Sequence, residues 1–459
     1  MSQEASLMIP AAKIRRTAAV VLTTGAVAAA LGSGLADASG GDRTQEVRQA
    51  VQGGKARNVI LLIGDGMGDS EITAARNYVK GAAGRLAMDT LPLTGAYTTY
   101  SVNKADPRQI DYVTDSAASG TGWATGHKTY NGAISVTPDG KPVPTVLELA
   151  KRAGLRTGDV STAELGDATP AVLAAHVADR GCQGPADMAK CPAQDKVNGG
   201  PGSIAEQQVQ TGADLYLGGG KARFAQTVKA GPFAGKTVID QAKAAGYTVV
   251  TDEGGLNAAK PGGKLLGLFA DGNMPQEWTG PAAKVGGTDP SRCTPNGSFG
   301  GPHLSTMASK AIGLLDAQTK HSRKGFFLQI EGASIDKRDH AADPCGQIGE
   351  TAEFDKAVRA SLDYARRHPD TLVVVTADHG HTSQIIPLEA QSPGQTATLI
   401  TADGAPMKLN YATNTPGQSQ EHTGTQVRIA AKGPQAASVL GVTDQTDLFR
   451  TLTRALAIR

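Results

Sequence analysis

The shortages in these 459 residues narrow the field first. Neither sign of charge is in excess: 45 Lys and Arg face 43 Asp and Glu, a formal +2. That balance gives no electrostatic case for a nucleic-acid partner or an anionic membrane surface. Aromatics make up 4% of the chain while glycines number 57, so packing through small side chains and frequent turns are expected. Beyond the N-terminus no stretch is apolar enough to span a membrane. Internal repeats and low-complexity tracts are missing after the leader. Cysteine is sparse: Cys182, Cys191, Cys293 and Cys345, none in the C-x-x-C spacing that zinc sites use. What remains is ample for a fold. The 40% hydrophobic content can bury a sizeable core, and the length fits one large domain or two or three smaller ones.

Residues 1–38 read as a signal peptide. Lys13, Arg15 and Arg16 make a positive n-region, residues 18–31 an apolar Ala-rich run, and Ala36-Asp37-Ala38 an A-x-A-like cleavage site. The run is short and broken by Thr23, Thr24 and Gly25, which favours removal over a retained anchor. Arg15-Arg16 hints at twin-arginine export, but its flanking residues are not diagnostic. The expected location is therefore exported, periplasmic or extracellular, with no stable membrane insertion once the leader is gone. Residues 39–56 are polar and read as an N-terminal surface arm. Four cysteines in an exported chain suggest two disulfides out of three possible pairings, and Cys182 and Cys191, close in sequence, are expected to pair.

Strand-like and helix-like stretches then alternate, which makes the class α/β with a mainly parallel sheet. Residues 58–63, NVILLI, are a continuous apolar run of the kind buried parallel strands show. The run ends in GDGMG, with Asp65 at the carboxyl end of the strand, where open α/β sheets place their sites. Residues 326–330 and 372–376 have the same character and lead to Glu331 and Asp378. Residues 156–162 read as a strand with Asp167 and Thr169 beyond it. Helices are expected over 144–153, 305–320, 347–367 and 444–458, and Ser203 with Glu206 resembles a capping box. Residues 271–302 read as a long surface loop, and 388–420, polar and turn-rich, as a surface insertion.

Asp65, Asp167, Glu331, Asp336 and Asp378 all follow strand ends. Five carboxylates at one sheet edge repel one another unless cations neutralise them, which is the argument for metals. Asp336 and His340, at i and i+4, can face one ion from a single helical turn. Asp378-His379 is an adjacent pair, and His422 stands in a Gly/Thr loop. Imidazole with carboxylate suits zinc; Asp167, Thr169 and Glu331 offer oxygen only, which suits magnesium. His303, His321 and His368 read as surface residues or caps. Residues 110–132, IDYVTDSAASGTGWATGHKTYNG, place Ser116 at the start of a helix of small residues. Backbone N–H groups there favour an anion and make Ser116 a candidate nucleophile toward phosphate, although a serine in such a place is also an ordinary N-cap.

The stretches NVILLIGDGMG, DYVTDSAASGTGWATGHKTYNGA, VSTAELGDATPA, IEGASIDKRDHAADPCGQIGET, TADHGH and SQEHTGTQVRIAA run in order from about residue 56 to the C-terminus. In sequence and order they resemble the bacterial alkaline phosphatases. The resemblance implies a three-layer α/β sandwich over residues 57–459 that hydrolyses small phosphate monoesters to an alcohol and inorganic phosphate. It implies Ser116 as the nucleophile that becomes a phosphoserine. Asp336, His340 and His422 match a first Zn²⁺ site, and Asp65, Asp378 and His379 a second. Asp65, Asp167, Thr169 and Glu331 match a Mg²⁺ site, with Asp65 bridging. Arg180 matches an arginine that grips two phosphate oxygens, and Lys337 a position that contacts phosphate through water. The family pairs the cysteines 182 with 191 and 293 with 345. Its members are commonly homodimers with an N-terminal arm and an inserted crown near the interface, roles open to 39–56 and 388–420. Within the same superfamily, diesterases usually carry a Thr nucleophile and lack the third metal site, and sulfatases need a modified Cys or Ser in a different motif. A non-catalytic exported protein that stores zinc or binds phosphate would have no use for Ser116 or Lys337.

Overall fold

The computed structural model describes residues 43–458. The segment NVILLIG folds as strand β1 (Asn58–Gly64), with every residue buried. Such a strand needs cover on both faces and so belongs inside a parallel sheet. The other strands of that sheet are β2 (Leu93–Thr98), β3 (Arg156–Glu164), β4 (Leu215–Gly219), β5 (Tyr247–Val250), β6 (Lys264–Leu268), β7 (Phe326–Gly332), β8 (Thr371–Ala377), β9 (Val427–Lys432) and β10 (Gly441–Asp444). Their order is β10-β2-β9-β8-β1-β7-β3-β4-β6-β5. Only β9 runs against its neighbours, pairing antiparallel with β8 and β2. The three continuous apolar runs, β8, β1 and β7, lie side by side in the middle and are buried throughout.

Positions three apart on a strand point to opposite faces, and β7 shows what covers each. Gln329 accepts the indole N–H of Trp123 at 3.1 Å, from the helix Ser116–Thr125. On the other face a Cβ at Gly332 would meet Phe354, in the helix Pro344–Arg367, at 3.0 Å. Helices Leu304–Thr319 and Pro344–Arg367 pack on each other and on the sheet; Ser116–Thr125, Val146–Arg152 and Gln445–Leu456 form the second outer group. The result is helix, sheet, helix: three layers around one apolar core.

The expectation of a turn-rich insertion over 388–420 needs correction. Gln395–Ile400 and Pro406–Tyr411 are antiparallel strands of a second, five-stranded sheet. Ala397, Leu399, Met407, Leu409 and Tyr411 form a core with Ala74, Ala75 and Ile348. Thr396, Thr398, Lys408 and Asn410 on the same strands are buried too, which hides the usual apolar/polar alternation. The stretch 271–302 is also not wholly loop. Lys284–Val285 and Pro290–Ser291 pair with Gln395–Ile400, and Trp278–Thr279 pairs with Thr294–Pro295.

The disulfides join Cys182 to Cys191 and Cys293 to Cys345. Of the arm, residues 43–56 are described; they contain the helix Thr44–Ala50, none of whose residues is buried. The signal peptide read over 1–38 lies outside the described residues. Among the described residues no helix is long and apolar enough to cross a membrane.

Candidate active site

Four adjacent parallel strands, β8, β1, β7 and β3, end at one edge of the sheet. Gly64, the last residue of β1, is in register with Gly332 and Ala377. Asp65 and Asp378 therefore leave the sheet side by side, Glu331 sits one residue inside that edge, and Asp167 follows β3. Gly66 makes the turn possible. Its φ is +65°, and a Cβ there would lie 3.1 Å from Asp336. The turn lets the Gly66 N–H reach Oδ1 of Asp378 at 2.9 Å.

Ser116 opens the helix Ser116–Thr125 but does not cap it. The N-cap is Asp115, whose Oδ1 accepts from Ala118 N at 2.9 Å. The ordinary reading of Ser116 as a cap is thereby removed. Its Oγ lies 3.3 Å from Nε2 of His379 and 3.5 Å from Oδ1 of Asp65. Every residue of this Gly/Ala/Ser-rich helix is buried, which small side chains permit. One turn on, Ser119 Oγ donates to the Asp378 carbonyl at 2.8 Å, and Gln445 of the last helix donates to the same carbonyl at 2.9 Å.

The imidazole side is tightly drawn. Oδ1 of Asp336 lies 3.1 Å from Nε2 of His422, 3.4 Å from Nε2 of His340 and 3.1 Å from Nε2 of His381. One donor atom from each of these four residues falls within 4.8 Å of all the others. Asp65, Asp336 and His379 form a second such group, with Oδ2 of Asp378 at 3.2 Å from Nε2 of His379. Burial would raise the Asp336 carboxyl, but hydrogen bonds from His381 and His422 hold it well below the usual range. Asp378 and Glu331 go the other way. Burial and the nearby Asp65 charge push both well above it. Asp378 Oδ2 and Thr169 Oγ1 are buried without a hydrogen-bond partner. Orphaned donor atoms beside carboxylates forced toward protonation are the signature of a place that fits cations.

The oxygen side is arranged differently. Asp167 accepts from Arg180 Nη2 at 2.7 Å and from Lys337 Nζ at 2.9 Å. Burial opposes ionisation of Asp167, and these two cations overcome it and hold the carboxyl low. Glu331 accepts a hydrogen bond from Ser161. Arg180 also donates to Asp115 Oδ2 at 3.2 Å, so its planar fork is fixed from two sides.

Sequence reasoning passed over three residues here. His381 has a fully buried side chain and joins the Asp336 cluster; its only sequence signal is its place two residues after His379. Asp115 orients both the helix start and Arg180. Ser161 holds Glu331.

The family model for alkaline phosphatase matches residues 56–402 and 387–458. The chain is 58% identical over 411 residues to a streptomycin-6-phosphate phosphatase of Streptomyces griseus, covering 88% of this chain and 91% of that one. It is 54% identical over 429 residues to an alkaline phosphatase of Escherichia coli K12, covering 91% and 90%. This chain belongs to the alkaline phosphatase family. The solved alkaline phosphatase from the Antarctic bacterium TAB5 shares the fold, with a TM-score of 0.68 at 24% identity over 88% of this chain and 99% of that one. Family membership accounts for the metal-dependent character of the His/Asp clusters.

Proposed function

We propose that the centre hydrolyses small phosphate monoesters to an alcohol and inorganic phosphate through a phosphoserine at Ser116. The observation that carries this is Ser116 itself. Asp115 does the capping, which leaves the Ser116 hydroxyl out of the cap, 3.3 Å from His379 Nε2, and Asp115 also holds the Arg180 fork. Oγ attacks phosphorus, the bond to the leaving oxygen breaks, and that oxygen departs as the alcohol after taking a proton. Water then cleaves the serine–phosphorus bond and restores the hydroxyl. Arg180 presents two N–H groups with the spacing of two phosphate oxygens, and Lys337 adds a positive charge at the same edge.

Two Zn²⁺ and one Mg²⁺ are the proposed complement. Asp336, His340 and His422 would hold one Zn²⁺, with His381 braced against Asp336, and Asp65, Asp378 and His379 the other. Asp65, Asp167, Thr169 and Glu331 would hold Mg²⁺. Bound there, the ions supply Lewis acidity and neutralise charge on the attacking and leaving oxygens. The catalytic domain is taken as 57–459, exported behind a 1–38 leader to the periplasm or the medium. A homodimer is proposed, with 39–56 and the second sheet near its interface. It is supported by the helix Thr44–Ala50, which has no fully buried residue, and by exposed Ile385 and Leu388. Ser116 and the Arg180 fork suit a phosphate whatever its alcohol, which fits a broad monoester class that includes the streptomycin 6-phosphate named for the Streptomyces relative.

The test is hydrolysis of p-nitrophenyl phosphate with Zn²⁺ and Mg²⁺ supplied. Ser116→Ala is expected to lower kcat by roughly three orders of magnitude or more, and wild type quenched in acid should carry phosphate on Ser116. Unchanged activity in Ser116→Ala would sink the phosphoserine route. Preference for a diester over the monoester would move the chain to the diesterase branch.

A further inference from the structure

Outside the sheet edge, one more set of ligand-type side chains converges. It sits where the stretch 271–302 meets the helices Leu304–Thr319 and Pro344–Arg367. Glu277, His303 and Glu353 each bring a donor atom within 4.8 Å of the other two. His303 read as a surface residue in the sequence, and its side chain is indeed 48% exposed, but Nδ1 points inward and lies 2.9 Å from both carboxylate oxygens of Glu277. The two carboxylates are nearly out of reach of water: side-chain exposure is 8% for Glu277 and 3% for Glu353.

We propose that Glu277, His303 and Glu353 form a further divalent-cation site of the zinc class, distinct from the active centre. One imidazole nitrogen, two carboxylates and a water on the exposed side of His303 make up a four-coordinate set that zinc accepts.

Each contact has an ordinary explanation singly. Glu353 Oε1 accepts from Ser305 N at 3.0 Å in the first turn of a helix, and His303 with Glu277 is an ion pair whenever the ring is protonated. Together they gather several carboxylates around one imidazole and one lysine. A third buried carboxyl, Glu350, accepts from Glu277 N at 2.8 Å. Lys356, 68% exposed, pairs with Glu353 through Oε2. Buried like charges of this density call for a cation.

The donors are also fixed in advance, as metal ligands are. The imidazole stacks on Phe299 with ring centroids 4.3 Å apart. Glu277 is held at both backbone ends: its N–H donates to Glu350, and its carbonyl accepts from Asn296 N at 2.9 Å. The Cys293–Cys345 disulfide ties the same stretch to the same long helix. A bound ion would be a second fastening for it. Gln276, next to Glu277, accepts from Arg338 at 2.6 Å, and Arg338 follows Lys337. The fastening therefore ends one residue from the phosphate-facing lysine.

The experiment uses the mature enzyme saturated with Zn²⁺ and Mg²⁺ and then freed of loose metal by gel filtration. Elemental analysis should find one more zinc per chain in wild type than in His303→Ala or Glu277→Gln, both of which should keep p-nitrophenyl phosphate hydrolysis within about twofold of wild type. Crystals of wild type at the zinc absorption edge should give an anomalous peak between the three side chains. That measurement needs no variant and stands even if Glu277→Gln fails to fold. Equal zinc in wild type and His303→Ala, or no peak at the three side chains, overturns the assignment and leaves a plain Glu–His–Glu contact.

Discussion

Asp336, buried, and Asp167, half-buried, are carboxylates at one sheet edge, and different partners keep them ionised. Asp336 is ringed by His340, His381 and His422. Asp167 is gripped by Arg180 and Lys337. An imidazole can give up its proton and become a ligand, so a cation entering beside Asp336 displaces nothing with permanent charge. A guanidinium or ammonium cannot do this. A cation entering beside Asp167 must share that carboxylate with two fixed positive charges. The imidazole side can take a cation without displacing fixed charge; on the oxygen side any cation shares its carboxylate with Arg180 and Lys337.

Mutations can break that contrast or sharpen it. The largest expected effect is on the imidazole side, where Asp336→Asn should lower kcat/KM for p-nitrophenyl phosphate by roughly a thousandfold or more, with zinc content falling in parallel. Next is His381→Ala. As a brace on Asp336 it should weaken zinc affinity by roughly 10–100-fold in a chelator competition. Activity that recovers fully at high Zn²⁺ would fit the bracing role, and loss that zinc cannot repair would refute it. On the oxygen side, Lys337→Ala should act in opposite senses. The half-saturating Mg²⁺ concentration should fall by roughly threefold to tenfold, about 1 kcal/mol, while phosphate inhibits less well. Tighter phosphate and weaker Mg²⁺ together would refute the shared-carboxylate picture.

The smallest effect is a control away from both sides. Asp89 bonds to Arg76 at 2.7 Å and to Arg428 at 2.9 Å. Burial works against its ionisation, but the two arginines hold the pKa down to about 2 from an ordinary 3.8. Because the folded value is the lower one, the stabilisation is complete above pH 3.8 and fades as pH falls through 2. Asp89→Asn should therefore cost about 1–2 kcal/mol at pH 7 in urea unfolding and close to nothing at pH 2, with the metal sites untouched.

Much of this was legible in the chain because the central strands carry an unambiguous signal. Runs such as NVILLI and LVVV admit one reading, and the acids beyond them fall at the sheet edge by register alone. Ser116 was legible as a helix start but not as a residue relieved of capping; that needed the Asp115 side chain in place. His381 was hidden because an Asp-His-Gly-His run gives no sign that its second histidine turns toward another strand's ligand. The second sheet was hidden for a different reason. Its strands bury Thr396, Thr398, Lys408 and Asn410 along with their apolar neighbours, so neither face reads as the inner one.

The hydrogen bond from Gln445 to the Asp378 carbonyl has a consequence for how the protein is made. Every candidate ligand lies at or before His422, yet this donor belongs to the last helix, Gln445–Leu456. A chain that stops short of it carries the full set of ligands and lacks one of the two clamps on a strand end that bears two of them. A chain cut before Gln445 would leave Ser119 alone on the Asp378 carbonyl, so the firmness of this strand end depends on a residue far along the chain from it.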